Sequence, residues 1–301
     1  MHPFEKSWIK KYRQYINDYP VLVILGAPRT GSTLLYQLLT AWLDVAYVDN
    51  LVHMGREMPF LTYLLSSRLF RDQLPTSFES RYGSTNRLYE PSEAGNLWRK
   101  WVPEQKHYLY EKDLTEAHLN GFRDFVTAVT NYSQKPLIIK NLYFSQRLRM
   151  LKTLGMKFKF IFLRRNPVYT AQSIYLSRQE NLTNMNAWWS VKPYNYQDIK
   201  DKDVFQQIAA QVYYIEQQIE NDLKLFHQRD VMHLQYEDLE TKCFDILDDI
   251  KEKIGGKFRH NVNPENIDNI RIRNRKKMEE EPFHQLKDEI DKLYGSQMAS
   301  D

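Results

Sequence analysis

The feature that most constrains the fold is a glycine-containing loop between an apolar run and a helical pattern. The largely β-branched run Val21–Leu25 precedes the loop at residues 26–33, and leucines at helical spacing follow it. A strand, a tight turn and a helix start direct several backbone N–H groups and the positive end of a helix dipole at one point. The loop therefore predicts a binding site for a phosphate or sulfate group.

This loop differs at one position from the phosphate loop of nucleoside triphosphatases. Gly26 and Gly31 have the spacing of that loop, but Ser32 stands in place of its Lys, and Arg29 supplies a cation three positions earlier. Two of the predicted strands end at Lys140-Asn141 and at Arg164-Arg165, whereas a magnesium-dependent enzyme would carry an Asp at the end of a strand next to the loop. The sequence therefore favours a metal-free nucleotide with two separated anionic ends over a magnesium triphosphate.

The composition is typical of a globular protein with a sizeable core. Of the 301 residues, 42% are hydrophobic and the net charge is only +4, so we expect no nucleic-acid partner. The single cysteine, Cys243, excludes an internal disulfide and favours a reducing compartment. The polar N-terminus lacks a signal segment, and no apolar run approaches the ~20 residues of a membrane span. We therefore expect a cytoplasmic protein.

Predicted strands and helices alternate along the chain. Apolar runs predict strands at 21–25, 45–48, 136–140, 158–163 and 231–234, and helices at 5–18, 145–154, from Pro167 onward and at 203–227. This order predicts an α/β fold of the P-loop type, a three-layer sandwich with a central parallel sheet flanked by helices. We expect one domain over residues 1–301, with its core at 20–240 and a helical or lid region at 241–301.

A second anion-binding element follows the predicted strand at 158–163. Asn166 and Pro167 are a favoured N-cap and N1 pair, so a helix is predicted to begin there. Arg165 then stands at the end of the strand, and Ser173 lies two turns along the helix. A guanidinium and a hydroxyl placed in this way can hold one phosphate group.

Together these motifs resemble those of sulfotransferases that use 3′-phosphoadenosine 5′-phosphosulfate (PAPS). Residues 26–35 are similar to the 5′-phosphosulfate loop of that family, and residues 165–173 are similar to its 3′-phosphate element. Lys140-Asn141 and residues 236–239 also have counterparts in the bacterial and tyrosyl-protein branches. The resemblance covers about residues 20–240. It implies one in-line transfer of a sulfuryl group from PAPS to an acceptor hydroxyl without a metal, leaving adenosine 3′,5′-bisphosphate.

The resemblance also implies roles for the matching residues. The Ser32 and Thr33 hydroxyls and the loop N–H groups would hold the 5′-phosphosulfate, and Arg29 would neutralise charge on the bridging oxygen. Arg165 and Ser173 would hold the 3′-phosphate. The complete expected set of nucleotide-binding residues is Arg29, Thr30, Gly31, Ser32, Thr33, Leu34, Arg165, Ser173 and Tyr236.

Sulfuryl transfer also needs a general base that accepts the proton of the acceptor. Glu93 is the first candidate, followed by His53 and Glu90. The competing interpretations are that Glu93 caps a helix beginning near Pro91 and that His53 is a structural histidine. The expected catalytic set is Glu93, His53 and Lys140, the last of which would contact the transferring sulfuryl oxygens.

Several alternatives remain open from the sequence. The basic run at 271–277 either closes over the nucleotide or forms a solvated helix with ion pairs. Four tryptophans line an acceptor pocket or belong to the core, namely Trp98, Trp101, Trp188 and Trp189. The acceptor is a saccharide, a lipid-linked sugar, a small alcohol or a tyrosine, and the oligomeric state is undetermined. The alternative functions are a P-loop kinase or NTPase and a non-catalytic nucleotide-binding module.

Overall fold

A parallel sheet of five strands forms the centre of the computed structural model, which describes residues 3–13, 19–74, 78–81, 83–103, 106–260, 272 and 274–298. The strands are β1 (Val21–Leu25), β2 (Ala46–Tyr47), β3 (Leu137–Lys140), β4 (Phe158–Arg164) and β5 (Val231–Gln235). Their order across the sheet is β2-β3-β1-β4-β5. The predicted α/β fold with a central parallel sheet is therefore confirmed.

Helices connect these strands and cover both faces of the sheet. In the described ranges they are α1 (Pro3–Tyr12), α2 (Ser32–Trp42), α3 (Asn50–Met54), α4 (Pro59–Leu69), α5 (Gly95–Trp98), α6 (Glu116–Ser133), α7 (Leu148–Leu154), α8 (Pro167–Asn181), α9 (Tyr196–Ile199), α10 (Val204–Leu223), α11 (Cys243–Ile254) and α12 (Glu280–Met298). Two short 3-10 helices also matter for the site, Leu142–Gln146 and Tyr236–Leu239.

The central strand β1 is apolar throughout because both faces of the sheet are covered. Val21 pairs with Leu137 of β3 and with Phe158 of β4, so β1 lies between these two strands. Alternate side chains of β1 enter different cores. Val23 belongs to the core that contains residues of α6, α8 and α10, whereas Leu22 belongs to the core formed with α2 and α11. The carboxyl ends of all five strands consequently meet at one edge.

The predicted helix at 145–154 is wrong in its first part. Residues Leu142–Gln146 form a 3-10 helix, and α7 begins only at Leu148. The cause is tertiary, because the Ser145 hydroxyl donates to the Gly26 carbonyl oxygen at 3.1 Å and accepts from the Gly26 N–H at 3.1 Å. This chain segment is therefore held against the glycine loop and does not extend the following helix.

Two other predicted helices are shorter than expected. The helix predicted at 5–18 corresponds to α1, Pro3–Tyr12, while residues 14–18 lie outside the described residues. The helix predicted at 203–227 corresponds to α10, which ends at Leu223. Asn166 caps α8 as predicted, since its side-chain oxygen accepts from the Val168 N–H at 3.0 Å.

The C-terminal helix α12 packs against α10 and α8. Its residues Leu286 and Ile290 are fully buried and belong to the same core as Val23 of β1. Tyr294 donates a hydrogen bond to Glu216 in the middle of α10 at 2.9 Å. The chain before α12 is thereby held close to the carboxyl end of β4, where Arg165 lies.

Candidate active site

The glycine loop after β1 has the backbone geometry that an anion site requires. Gly31 has a φ of 88° at the N-cap of α2, and a Cβ there would overlap the Tyr236 ring. A Cβ on Gly26 would lie 2.7 Å from the Leu163 carbonyl oxygen. Both positions therefore require glycine. Arg29 also has a positive φ, 71°, which is a strained conformation for a non-glycine residue and common at functional sites.

Inside the loop, Thr30 and Ser32 differ in their surroundings. The buried Thr30 hydroxyl donates to the Ala27 carbonyl oxygen at 3.0 Å and so stabilises the turn. Ser32 and Thr33 begin α2 and line a cleft at the carboxyl ends of the strands, together with Leu34. The N–H groups of the first turn of α2 have no partner within the helix and face an incoming anion.

The predicted 3′-phosphate element and the loop are in direct contact. The Arg29 Nε–H donates to the Ser173 hydroxyl oxygen at 2.9 Å, and an Arg165 Nη1–H donates to the Arg29 carbonyl oxygen at 3.0 Å. The Arg165 guanidinium also lies 4.9 Å from the centroid of the Tyr236 ring, within the range of a cation–π interaction. Burial lowers the pKa of both Arg29 and Arg165 from the usual value. The four side chains thus form one connected group.

At the end of β3, Lys140 forms the buried ion pair of the site. Its side chain is 1% exposed, and its ammonium group contacts the Glu93 carboxylate and donates to the Thr33 hydroxyl at 3.0 Å. Burial lowers the pKa of Lys140, and the Glu93 charge opposes that effect. Asn141 fixes the Glu93 backbone, since its amide donates to the Glu93 carbonyl oxygen at 2.9 Å. A carboxylate and an ammonium therefore stand beside the first turn of α2.

One cleft of about 720 Å³ brings most of these residues together. Of the predicted site residues, its lining contains Arg29, Gly31, Ser32, Thr33, Leu34, Glu93, Lys140, Arg165, Ser173 and Tyr236. Thr30 is absent from the lining because its side chain points into the loop. The positions after β1, β3 and β4 therefore converge, as expected for ligands at the carboxyl edge of a parallel sheet.

The other two base candidates lie elsewhere. His53 is in α3, outside the cleft lining, with its Nδ1 3.4 Å from the Ser92 hydroxyl, and burial lowers the pKa of its imidazole. The buried Glu90 carboxylate accepts from the backbone N–H groups of Asn86 and Arg87 at 2.9 and 3.0 Å, which organises that turn. Among the three base candidates, the structure brings only Glu93 to the lining of this cleft.

The competing interpretation of Glu93 as a helix cap is wrong. Helix α5 begins at Gly95, its N-cap is Ala94, and Ala94 has a φ of 46°. Ala94, whose backbone is in the left-handed region, separates Glu93 from the helix, and its N–H donates to the Ser92 hydroxyl oxygen at 3.2 Å. The Glu93 side chain is consequently directed to Lys140.

The tryptophans separate into two groups. Trp98 and Trp101 are buried in the core, with ring centroids 6.0 Å apart, so the acceptor-platform hypothesis is wrong for both. Trp189 lines the cleft. Trp188 packs under the Arg178 guanidinium at 5.2 Å and is absent from the lining.

A segment that we name the strap, residues 274–278, closes one side of the cleft. The buried Gln172 side chain holds its backbone, accepting from the N–H groups of Lys277 at 2.7 Å and Met278 at 3.3 Å, and donating to the Arg275 carbonyl oxygen at 3.0 Å. The Lys277 side chain lines the cleft. Of the two alternatives for the basic run at 271–277, contact with the site is the one found in its described part, whereas Arg271 and Arg273 lie outside the described residues.

Asn274 of the strap joins the network around Arg165. Its side-chain oxygen accepts from the Arg165 Nε–H at 2.8 Å, and its amide contacts the Glu237 carboxylate. Glu237 in turn accepts the Asn166 N–H at 3.0 Å. The sequence does not predict the roles of Gln172 and Asn274. Gln172 and the strap, like Arg165 and Asn274, are more than 100 residues apart along the chain, and no local motif marks either pair.

A comparison with known families decides the family of this chain. A family model described as "Sulfotransferase family" matches residues 20–259. The chain belongs to the sulfotransferase family. The predicted resemblance is therefore confirmed over most of the sequence. No curated protein matches this sulfotransferase.

Solved structures of bacterial sulfotransferases have the same fold. Sulfotransferase STF1 from Mycobacterium tuberculosis H37Rv is 16% identical, with a TM-score of 0.50 over 83% of this chain and 72% of that chain. Sulfotransferase STF9 from Mycobacterium avium is 14% identical, with a TM-score of 0.50 over 83% of this chain and 67% of that chain. At these identities the likeness concerns the fold alone.

None of the helices in the part of the chain that the structure describes combines the length and apolarity needed to cross a bilayer. No cluster of three or more His, Cys, Asp or Glu side chains in the described ranges is arranged to hold a metal ion.

Proposed function

We propose that this sulfotransferase transfers the sulfuryl group of PAPS to a hydroxyl group of a small-molecule or glycan acceptor. The observation that carries the proposal is the convergence of Arg29, Lys140 and Arg165 around the glycine loop, with the Glu93 carboxylate on Lys140. Three cations in a partly desolvated cleft favour a ligand with several negative charges. One carboxylate beside them supplies the base that transfer to a hydroxyl requires.

The lining fits a nucleotide that is anionic at both ends. The N–H groups of the first turn of α2 and the hydroxyls of Ser32 and Thr33 would hold the 5′-phosphosulfate. Arg165 and Ser173, on the other side of Arg29, would hold the 3′-phosphate. PAPS supplies an activated sulfuryl group on a good leaving group, and the protein contributes binding, orientation and charge neutralisation.

Lys140 connects the donor end of the cleft with the base. Its ammonium contacts Glu93 and the Thr33 hydroxyl. We infer that the sulfuryl oxygens replace Glu93 as the partner of Lys140, which leaves the carboxylate available to accept the acceptor proton. The sulfur–oxygen bond of the donor breaks while the bond to the acceptor oxygen forms. The Arg29 guanidinium then neutralises the charge on the bisphosphate leaving group.

The acceptor side of the cleft contains apolar and aromatic surface. Phe78, Leu176 and Trp189 line the same cleft as Glu93. Aromatic rings pack well against the apolar faces of sugar rings and other cyclic alcohols. We therefore favour an acceptor that carries its hydroxyl group on a ring.

Calorimetric titration with adenosine 3′,5′-bisphosphate, ATP–Mg²⁺ and AMP tests the donor site. We expect the bisphosphate to bind more tightly than either control, and Arg165→Ala to weaken it at least ~10-fold through loss of charge-assisted hydrogen bonds. Arg13→Ala is the matched control, because Arg13 forms a surface ion pair with Asp124 outside the cleft. A preference for ATP–Mg²⁺ would favour a kinase, and absence of any nucleotide binding would overturn the donor assignment.

A further inference from the structure

Helix α4 is apolar on its buried side and on its exposed side. Phe60, Tyr63 and Leu64 enter the core. Leu65 and Leu69, on the other side, are 51% and 60% exposed. A surface helix of a globular protein normally carries polar residues on its outer face, and contiguous exposed apolar side chains commonly mark an interaction site.

Neighbouring elements extend this exposed face. Leu65 and Leu69 are four residues apart and therefore lie on one stripe of α4, and the exposed Met58 is the N-cap residue of this helix. Met54 ends α3, which packs against α4. Phe4 lies on α1, whose next residue, Glu5, accepts the Phe60 N–H at 2.6 Å. We name these five exposed side chains the apolar ridge: Phe4, Met54, Met58, Leu65 and Leu69.

Cations outnumber acids around the apolar ridge. The exposed charged residues on α1, α4 and the turns that flank α4 are Lys6, Lys10, Lys11, Arg56, Arg68, Arg71, Glu57 and Asp72. Of the two acids, Glu57 is already paired at 3.1 Å with Lys100, which lies in the short 3-10 helix Arg99–Trp101 after α5. Arg13 at the end of α1 is neutralised by Asp124 of α6. The charge around the apolar ridge is therefore positive, although the net charge of the whole chain is only +4.

We propose that the apolar ridge docks this protein on an anionic lipid bilayer. Leucine, methionine and phenylalanine side chains on a helix would enter the boundary between headgroups and acyl chains, with lysine and arginine at the headgroups. A second copy fits this face less well. Two-fold pairing would place the excess cations of one copy next to the same cations of the other.

The residues of the apolar ridge are absent from the lining of the active-site cleft, so docking there is independent of the donor and of the acceptor.

Co-sedimentation of the full chain with vesicles tests this docking surface. The vesicles are phosphatidylcholine with 30% phosphatidylserine, and pure phosphatidylcholine is the comparison. We expect preferential binding to the anionic vesicles, and at least a ~10-fold lower partition coefficient for the double variant Leu65→Ser, Leu69→Ser. Arg68→Gln should weaken binding about fivefold and reduce its salt dependence.

The matched control removes apolar side chains elsewhere. Leu225→Ser with Phe244→Ser alters two residues that are 37% and 44% exposed outside the apolar ridge, and should leave the partition coefficient unchanged. The far-UV circular dichroism spectrum and the cooperative thermal transition of the Leu65→Ser, Leu69→Ser variant should match those of the wild type, which shows that the fold is intact and keeps this test separate from that of the donor site. Equal binding to both vesicle types, binding to neither, or an effect of the leucine variant only on self-association in sedimentation velocity would overturn the proposal.

Discussion

Glu216 is a buried carboxyl group whose replacement by Gln should stabilise the protein above neutral pH. It lies in the middle of α10, is 6% exposed, and accepts a hydrogen bond from Tyr294 of α12 at 2.9 Å. Its second carboxylate oxygen has no hydrogen-bond partner in the described part of the chain. Burial raises the pKa of Glu216 from 4.5 to about 7, and the Tyr294 hydrogen bond only partly opposes this effect.

The size and sign of the effect follow from this pKa. The folded protein keeps the proton between pH 4.5 and about 7, whereas the unfolded chain releases it. The stabilising contribution is therefore fully present below about pH 4.5 and is lost as the pH rises through 7. At about 1.4 kcal/mol per pKa unit, the change from 4.5 to about 7 corresponds to about 3 kcal/mol.

Glutamine has the size of glutamic acid but cannot ionise. We expect Glu216→Gln and wild type to differ little in unfolding free energy at pH 4, whereas at pH 8 the variant should be about 3 kcal/mol more stable. This corresponds to a melting temperature higher by about 5 °C. Urea denaturation and thermal melts at four pH values measure the difference. Glu281→Gln, on the exposed part of α12, is the control. A stability difference that stays constant or shrinks as the pH rises would refute the reasoning.

Two further predictions concern the cleft. Glu93→Gln should lower kcat by about 10²–10⁴ because the general base is lost, while the affinity for bisphosphate should stay within about threefold. His53→Ala should keep most of the activity. Steady-state assays in which Glu93→Gln stays active would contradict the assignment of Glu93 as the base. Gln172→Leu removes three hydrogen bonds to the strap, so the affinity for adenosine 3′,5′-bisphosphate should fall about tenfold. Calorimetry should show unchanged AMP affinity for this variant, since AMP lacks the 3′-phosphate; an equal loss for both nucleotides would indicate a general structural defect.

The sheet was predictable because its central strands are almost entirely apolar and buried. Residues 21–25 are a continuous apolar run, and residues 158–163 are apolar except for Lys159. These runs are shorter than most helices, and their alternation with helices favours a parallel sheet. The strand ends differ from the prediction by at most one residue, for example at β2, where only Ala46–Tyr47 pairs with β3. This edge strand is short because its pairing ends where the chain turns toward α3.

The candidate site was predictable where local backbone chemistry fixes it. A glycine is favoured at Gly31 because the N-cap of α2 has a φ of 88° there, and Asn166 with Pro167 starts α8, so Arg165 must stand at the end of β4. Each of these positions depends on interactions within a few residues or on the edge at which parallel strands end. Their convergence follows from the topology alone.

Contacts that span the chain could not be predicted in the same way. Gln172 holds the strap through backbone groups about 105 residues later, and backbone N–H groups carry no sequence information. Ser145 was predicted to be helical because its own segment has helical spacing, but two hydrogen bonds to Gly26 outweigh that preference. These errors occur where tertiary partners determine the local conformation.

The cations of the cleft contact other side chains of the protein, and these contacts affect which nucleotide we expect to bind. Arg29 donates to Ser173, Arg165 donates to Asn274 of the strap, and Lys140 contacts Glu93. A ligand therefore has to replace internal partners, and only groups of high charge density at the matching positions offset that loss. AMP lacks a group for Arg165, so it would displace fewer of these contacts than adenosine 3′,5′-bisphosphate and would gain less. If sulfuryl oxygens of the donor replace Glu93 as the partner of Lys140, the ion pair between Lys140 and Glu93 opens. Donor binding and the availability of Glu93 as the base would then be coupled through this one ion pair.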